Sequence, residues 1–270
     1  MWYKLTWMYI WNQKARPSWW GHWTIANAVD AWTCPITLSN YYDECLEFSL
    51  DWLHFYTSNN ATSSWPFQVD LATARDVTSA TWSTNLHSTM YYGSGWNGNG
   101  TPHWNADGSQ CTNSYGSTIK AWTPWSNWDL SQSAIVLWQD TTSLGAGRWR
   151  KFIKNWEMII CPGPNYNITT YNLATPYDLR TADLSSLKET SLENTWYSDY
   201  FFSDDGIHLY HVSPDAATTH LVLSTAWDVS TATVSETLNE RASWIYFHED
   251  KMYLKYRNWN VKQFTVVKEN

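Results

Sequence analysis

Basic charge is scarce in this chain. Lys and Arg total 17 against 25 Asp and Glu, a formal net charge of -8 over 270 residues. A general nucleic-acid binder needs a basic face to displace counterions from phosphate, so that class is excluded. The small run Arg148, Arg150, Lys151 and Lys154 reads as a solvated strand face. No stretch approaches the ~20 apolar residues of a membrane-spanning helix. The opening residues Met1 to Trp7 lack a basic segment followed by an apolar run, so the expectation is no secretory signal and synthesis in a cytoplasm. Cys34, Cys45, Cys111 and Cys161 form no C-x-x-C pair and have no His at zinc-ligand spacing, which favours free thiols and no metal. There is no G-x-S-x-G elbow, phosphate loop or H-E-x-x-H, and no cofactor motif. His208 and His211 stand three apart on a strand and so face opposite ways. His248, Glu249 and Asp250 read as a solvated turn.

What the chain has instead is aromatic: 22 Trp and 17 Tyr beside 5 Met. Such side chains supply much buried area and keep a polar edge, which suits thin repeated sheets and equally an exposed stacking surface. It also has a repeat. Leu223 to Val234 echoes Leu71 to Val77, Leu173 to Leu179, Ile25 to Asp30 and, with two extra residues, Trp122 to Leu130. Their aspartates, Asp30, Asp76, Asp129, Asp178 and Asp228, are 46, 53, 49 and 50 residues apart. A period near fifty points to a repeat architecture. Aspartate suits a turn because its carboxylate accepts a bond from the N–H two residues on, so all five read as structural.

The clearest unit runs from Tyr200 to Leu238. Ser203-Asp204-Asp205-Gly206 between apolar runs predicts a hairpin. Strands are expected at 200–202, 207–212, 220–224 and, after the Asp228 turn, 232–238, giving a meander A to D. The template fits again at 46–71, 149–173 and 244–267, and as a B–C pair at 5–11 and 22–26. Six B–C pairs against five Asp turns place both termini within blades. The expected fold is all-β: one β-propeller domain over 1–270, its blades four antiparallel strands, six blades favoured over five.

The segments Phe202 to Tyr210 and Leu223 to Ala232 resemble propeller repeats of the form SPDG-x-x-LYV … LST-x-WD-[VI]-STA. Repeats of this class occur in bacterial surface proteins and in tail and other virion proteins of bacteriophages. Trp128-Asp129 and Trp227-Asp228 fit the WD-repeat family less well, because the period is longer and the dipeptide recurs only twice. The resemblance implies a non-enzymatic virion component in the tail, fibre or decoration class. Its implied partners are other virion proteins and, on a second face, host surface glycans. It implies several copies in an assembly, no nucleic acid, no membrane insertion, no catalytic residue and no cofactor.

In a four-stranded meander the A–B and C–D turns share one face and the B–C loops the other. The B–C loops hold Trp19, Trp20, Trp65, Trp96, Trp104, Tyr166 and Trp259, the third being a Gly/Asn/Ser-rich insertion at 93–117 with His103, Asp107 and Tyr115. A loop of that length inside a compact repeat is usually functional or disordered. Flat rings stack on pyranose faces while Asn, Asp and His reach hydroxyls, so these ten residues are the candidate ligand site. Packing over the blade edge and protein docking are the competing readings. Two rival functions are a lectin-like module and a propeller glycosidase with paired channel carboxylates. Asn105 to Ser109 resembles the sialidase Asp-box, once.

Overall fold

The computed structural model describes residues 22–33, 47–49, 53–58, 66–85, 103–105, 108–115, 118–126, 129–141, 151–154, 156–162, 167–191, 199–256 and 261–269. Among these the chain is all-β, with 3-10 turns and no α-helix, and no helix is long and apolar enough to cross a membrane. Strand β1 is His22–Thr33. Four meanders follow: β2 (Glu47–Phe48), β3 (His54–Ser58), β4 (Pro66–Leu71) and β5 (Ala80–Asn85); β6 (His103–Trp104), β7 (Cys111–Tyr115), β8 (Thr118–Ser126) and β9 (Asp129–Thr141); β10 (Lys151–Ile153), β11 (Met158–Pro162), β12 (Asn167–Leu173) and β13 (Ala182–Ser191); β14 (Asp199–Phe202), β15 (His208–Ser213), β16 (Ala216–Leu223) and β17 (Ala232–Leu238). The chain closes with β18 (Trp244–His248), β19 (Lys251–Lys255) and β20 (Val261–Glu269).

All pairings are antiparallel and run in sequence order, with one exception. Strand β1 pairs with β20, His22 opposite Glu269 and Thr33 opposite Lys262, so the fifth sheet has the order β1-β20-β19-β18. This pairing lets the two ends of the chain complete one sheet, as expected for termini that lie within blades. The N-terminal strand and the C-terminal three, which the repeat pattern treats as separate units, form one sheet, and the described residues hold five four-stranded sheets. The N-terminal strand expected at 5–11 lies outside the described residues.

A correction concerns 93–117. Two strands, β6 and β7, lie inside it. Between them Gln110 N–H donates to the Asn105 side-chain oxygen and Gly108 N–H to the Asn105 carbonyl. Gly108 adopts φ +70° there. The Asn-x-x-Gly run that looked like loop chemistry is a tight A–B hairpin. The Ser203 to Gly206 turn is built alike: Gly206 N–H donates to the Ser203 carbonyl and Ile207 N–H to Asp205 Oδ1.

Three of the five aspartates cap a 3-10 turn between strands C and D. Asp76 accepts from Thr78 N–H at 2.9 Å, Asp178 from Arg180 N–H at 3.1 Å and Asp228 from Ser230 N–H at 3.1 Å. Behind each sits a buried Val77, Leu179 or Val229. The residue before each aspartate is left-handed: Arg75 φ 70°, Tyr177 φ 65°, Trp227 φ 66°. That conformation costs a bulky residue on the order of 1 kcal/mol. It is offset where Trp227 N–H reaches the Gly206 carbonyl and Tyr177 N–H the Trp156 carbonyl, tying the C–D turn to the A–B turn of the same sheet. The other two aspartates differ. Asp30 lies within β1, opposite Phe264, and Asp129 begins β9, opposite Ser126.

Each sheet touches the next, a propeller-like succession. Phe48 of β2 packs on Tyr253 of β19 at 5.0 Å. Tyr56 of β3 meets Trp104 of β6 at 5.2 Å. Trp156 Nε1 donates to the Trp104 carbonyl and Tyr177 Oη to the Gln110 carbonyl, joining β10–β13 to β6–β9. Lys151 pairs with Asp199 at 3.3 Å, and Asp199 in turn accepts from Ile245 N–H of β18. The cores are therefore thin clusters between sheets. One gathers Ile153, Ile160 and Ile168 with Leu209, Leu221 and Val229, and burying each such side chain contributes roughly 1.5–3 kcal/mol.

Candidate functional site

Most of the predicted binding residues lie outside the described residues: Trp19, Trp20, Trp65, Trp96, Asp107, Tyr166 and Trp259. His103 is in β6 and Tyr115 in β7. Trp104 is the one whose side chain is described, and it is 4% exposed. It packs on Tyr56, so its indole serves the junction between sheets and is not a stacking platform. A Trp beside Asn and Gly has the look of a loop residue in the sequence; only the pairing of β6 with β7 turns it inward. The described part of the third B–C connection is correspondingly short, because Tyr115 pairs with Thr118.

The opposite face carries a cleft that motif reasoning passed over. It measures about 270 Å³ and is lined by Arg75, Asp76 and Thr78 of one C–D turn and by Glu249, Asp250 and Gln263 of the neighbouring sheet. The A–B turn at 248–251 and the C–D turn at 74–78 thus meet on a common side, as meander topology requires. Tyr253 Oη donates to the Arg75 carbonyl at 3.0 Å and fixes the turn. Arg75 Nη1 meets Glu249 Oε1 at 2.8 Å, and Lys251 Nζ meets Asp250 Oδ2 at 2.9 Å. Asp76 is engaged in its cap. Burial, reinforced by the Arg75 charge, pushes His248 down to about 4, so it is neutral at pH 7. Gln263 is 6% exposed and its Oε1 is unpartnered. The cleft is small for a ligand pocket, and most of its charges are paired with one another. The signal available in the sequence was His248-Glu249-Asp250, read there as solvated.

Two of the turn carboxylates are held ionised. Asp178 lies below the usual range because Arg180 donates to it, and Asp228 because the Ser230 hydroxyl and N–H do so. Such groups accept bonds and are poor proton donors. Asp199 behaves oppositely: burial raises it and Lys151 opposes the rise. Lys151 itself is only 14% exposed, with its ammonium 5.6 Å from the Trp244 ring and 6.0 Å from that of Phe201. The basic run expected on a solvated strand thus contributes a buried junction. Cys111 and Cys161 are buried free thiols, and burial raises Cys111. Among the described residues no group of three or more His, Cys, Asp or Glu is placed to hold a metal ion.

No family model matches the chain. No curated protein matches it either. Among solved structures, the Cps50 (Swd1) β-propeller domain of Myceliophteria thermophila is 9% identical, with a TM-score of 0.45, covering 91% of this chain and 100% of that one. A proposed 6-phosphogluconolactonase of Bacteroides fragilis is 7% identical, TM-score 0.42, covering 74% of this chain but only 55% of its own. One from Bacteroides uniformis is 12% identical, TM-score 0.43, covering 82% and 67%. Likenesses this distant carry no statement about activity.

Proposed function

We propose that the chain is a five-bladed β-propeller acting as a non-enzymatic structural and binding module of a bacteriophage particle, in the tail, fibre or decoration class. One observation carries the reading. Five four-stranded sheets among the described residues succeed one another in contact, and the sheet that β1 completes with β18–β20 packs on that of β2–β5 through Tyr253 and Phe48. A ring built this way would leave the B–C loops as the free variable on a rigid platform. The virion assignment rests on the repeat resemblance of 202–210 and 223–232, whose Asp228 turn and Gly206 hairpin have defined structural work. Docking on other virion proteins would use one face, and host-surface glycans the loop aromatics of the other. Fold alone does not fix function.

Two measurements test this. Labelling purified phage particles with an antibody to the chain should decorate the particle; a chain found only free in the lysate overturns the virion reading. Glycan-array binding by the wild type, lost in Trp65→Ala, Trp96→Ala or Trp259→Ala, assigns the receptor role to the B–C face. Trp104 is left out because its removal would act through folding. Turnover of any sugar on the array would overturn the non-enzymatic reading.

A further inference from the structure

Three imidazoles stack at the seam where β1 meets the sheet of β14–β17. His22, from β1, lies over His208 with ring centroids 4.1 Å apart and planes 6° from parallel. His208 Nδ1 is 2.9 Å from His220 Nε2, and His220 stacks on Tyr210 at 4.6 Å. The same patch anchors the backbone of β1. Tyr210 Oη accepts from Trp23 N–H and donates to the Trp23 carbonyl. Glu236 Oε2 of β17 accepts from Ile25 and Ala26 N–H. Every strand packed here presents an ionisable group: His22 from β1, His208 and Tyr210 from β15, His220 from β16, Glu236 from β17 and Glu269 from β20, with Asp205 on the turn before β15.

We propose that this histidine stack is an acid-sensitive clasp: proton uptake by it releases β1 from the sheet of β14–β17 and opens the ring at that seam.

The bond between His208 and His220 requires one ring nitrogen to donate and the other to accept. One proton added to the pair leaves the second ring able to accept. Two protons leave only donors facing each other, and the bond is lost. Protonating His22 as well places a further like charge 4.1 Å from His208. Two carboxylates temper this. Glu269 lies 3.5 Å from His22, and Glu236 lies 3.7 Å from His220 Nδ1. Glu236 meets His220 through Oε1 and holds the Ile25 and Ala26 N–H groups of β1 through Oε2, so any shift of this carboxylate towards a charged His220 is felt by β1. Burial lowers His208, with the neighbouring His22 adding to the effect, and pushes His220 down to about 4. His208 and His220 are therefore held neutral at pH 7 and charge in acid. Strand β1 is the piece that yields because its ladder bonds go to β20; besides the clasp, the Tyr210 hydroxyl and Glu236, only the packing of Trp23, Ile25 and Ala28 against Phe201, Tyr210, Val212 and Leu238 holds it to this sheet.

Hydrogen exchange of the whole chain at pH 7.5 and 4.5, corrected for the intrinsic rate, tests the clasp. The amides of Trp23, Ile25 and Ala26 should lose at least about tenfold more protection than those of β11 and β12, which lie in another sheet away from the seam. His208→Asn, which keeps a polar partner for His220 but does not titrate, should hold β1 at pH 4.5. His22→Phe, at a ring that is not fully buried, should do likewise while keeping the stack, and it guards against a folding defect in the first variant. Protection of β1 that falls only in step with β11 and β12, or falls equally in wild type and both variants, overturns the proposal.

Discussion

The sheet of β14–β17 and the sheet of β6–β9 derive from the same repeat and fold by different rules. In the former, a Ser-Asp-Asp-Gly hairpin starts the meander and a capped Asp228 turn ends it, each closed by bonds within a few residues. In the latter, Asn105 and Gly108 still close the hairpin, but Asp129 stands at the start of a strand. Strands β8 and β9 run 9 and 13 residues and meet with Ser126 opposite Asp129. With two extra residues before Asp129 in the sequence, strand C runs on to Ser126 and strand D opens at Asp129. An aspartate in a repeat is therefore a turn device only where the spacing to the preceding strand is kept. Titratable rings also separate the two sheets: buried His211 and His220 lie in the former.

The largest expected effect breaks the sheet of β6–β9. Trp104→Ala should cost ~3–5 kcal/mol, the usual range for emptying a buried Trp site, read as a lowered denaturant midpoint by circular dichroism. Unfolding followed against pH separates the two sheets next. His211 and His248 are held down to about 4, His211 by burial alone. A histidine lowered in the folded state contributes stability that is present above its ordinary value of 6.5 and is lost as pH falls towards about 4. For His211 the loss is on the order of 3 kcal/mol. His211→Phe should remove most of it, with amides of β15 and β16 responding before those of β7 and β8. Gly206→Ala should cost ~2–3 kcal/mol. Its φ is +73°, and an added Cβ would stand 2.2 Å from the Trp227 ring. The smallest effect is the sharpest test of the comparison. Asp228→Ala should lose ~1 kcal/mol with its cap, whereas Asp129→Ala should stay within about 0.5 kcal/mol. Equal losses would mean that the two turns are alike after all.

Legibility followed the range of the interaction. The bounds of β17 match the expected strand at 232–238 to the residue, because alternation and turn residues mark it locally. The carboxylate-to-N–H bond at Asp76, Asp178 and Asp228 spans two residues and can be read the same way. Trp104 could not be, since its burial depends on Tyr56 some fifty positions earlier. Lys151 misled for the same reason: nothing near it in sequence announces Asp199. The candidate cleft joins turns that are more than 170 residues apart, as the separation of 174 between Arg75 and Glu249 illustrates.

By itself, then, the sequence determined the strands, the hairpins and the capped turns, all of which close through bonds between near neighbours. Tertiary structure alone decided how many sheets there are. His22 and Glu269 become partners only when β1 docks on β20, a contact that no local propensity encodes and that forms once the intervening meanders have brought the ends together. The same docking gathers His22, His208 and His220, three residues unremarkable in sequence, into one stack.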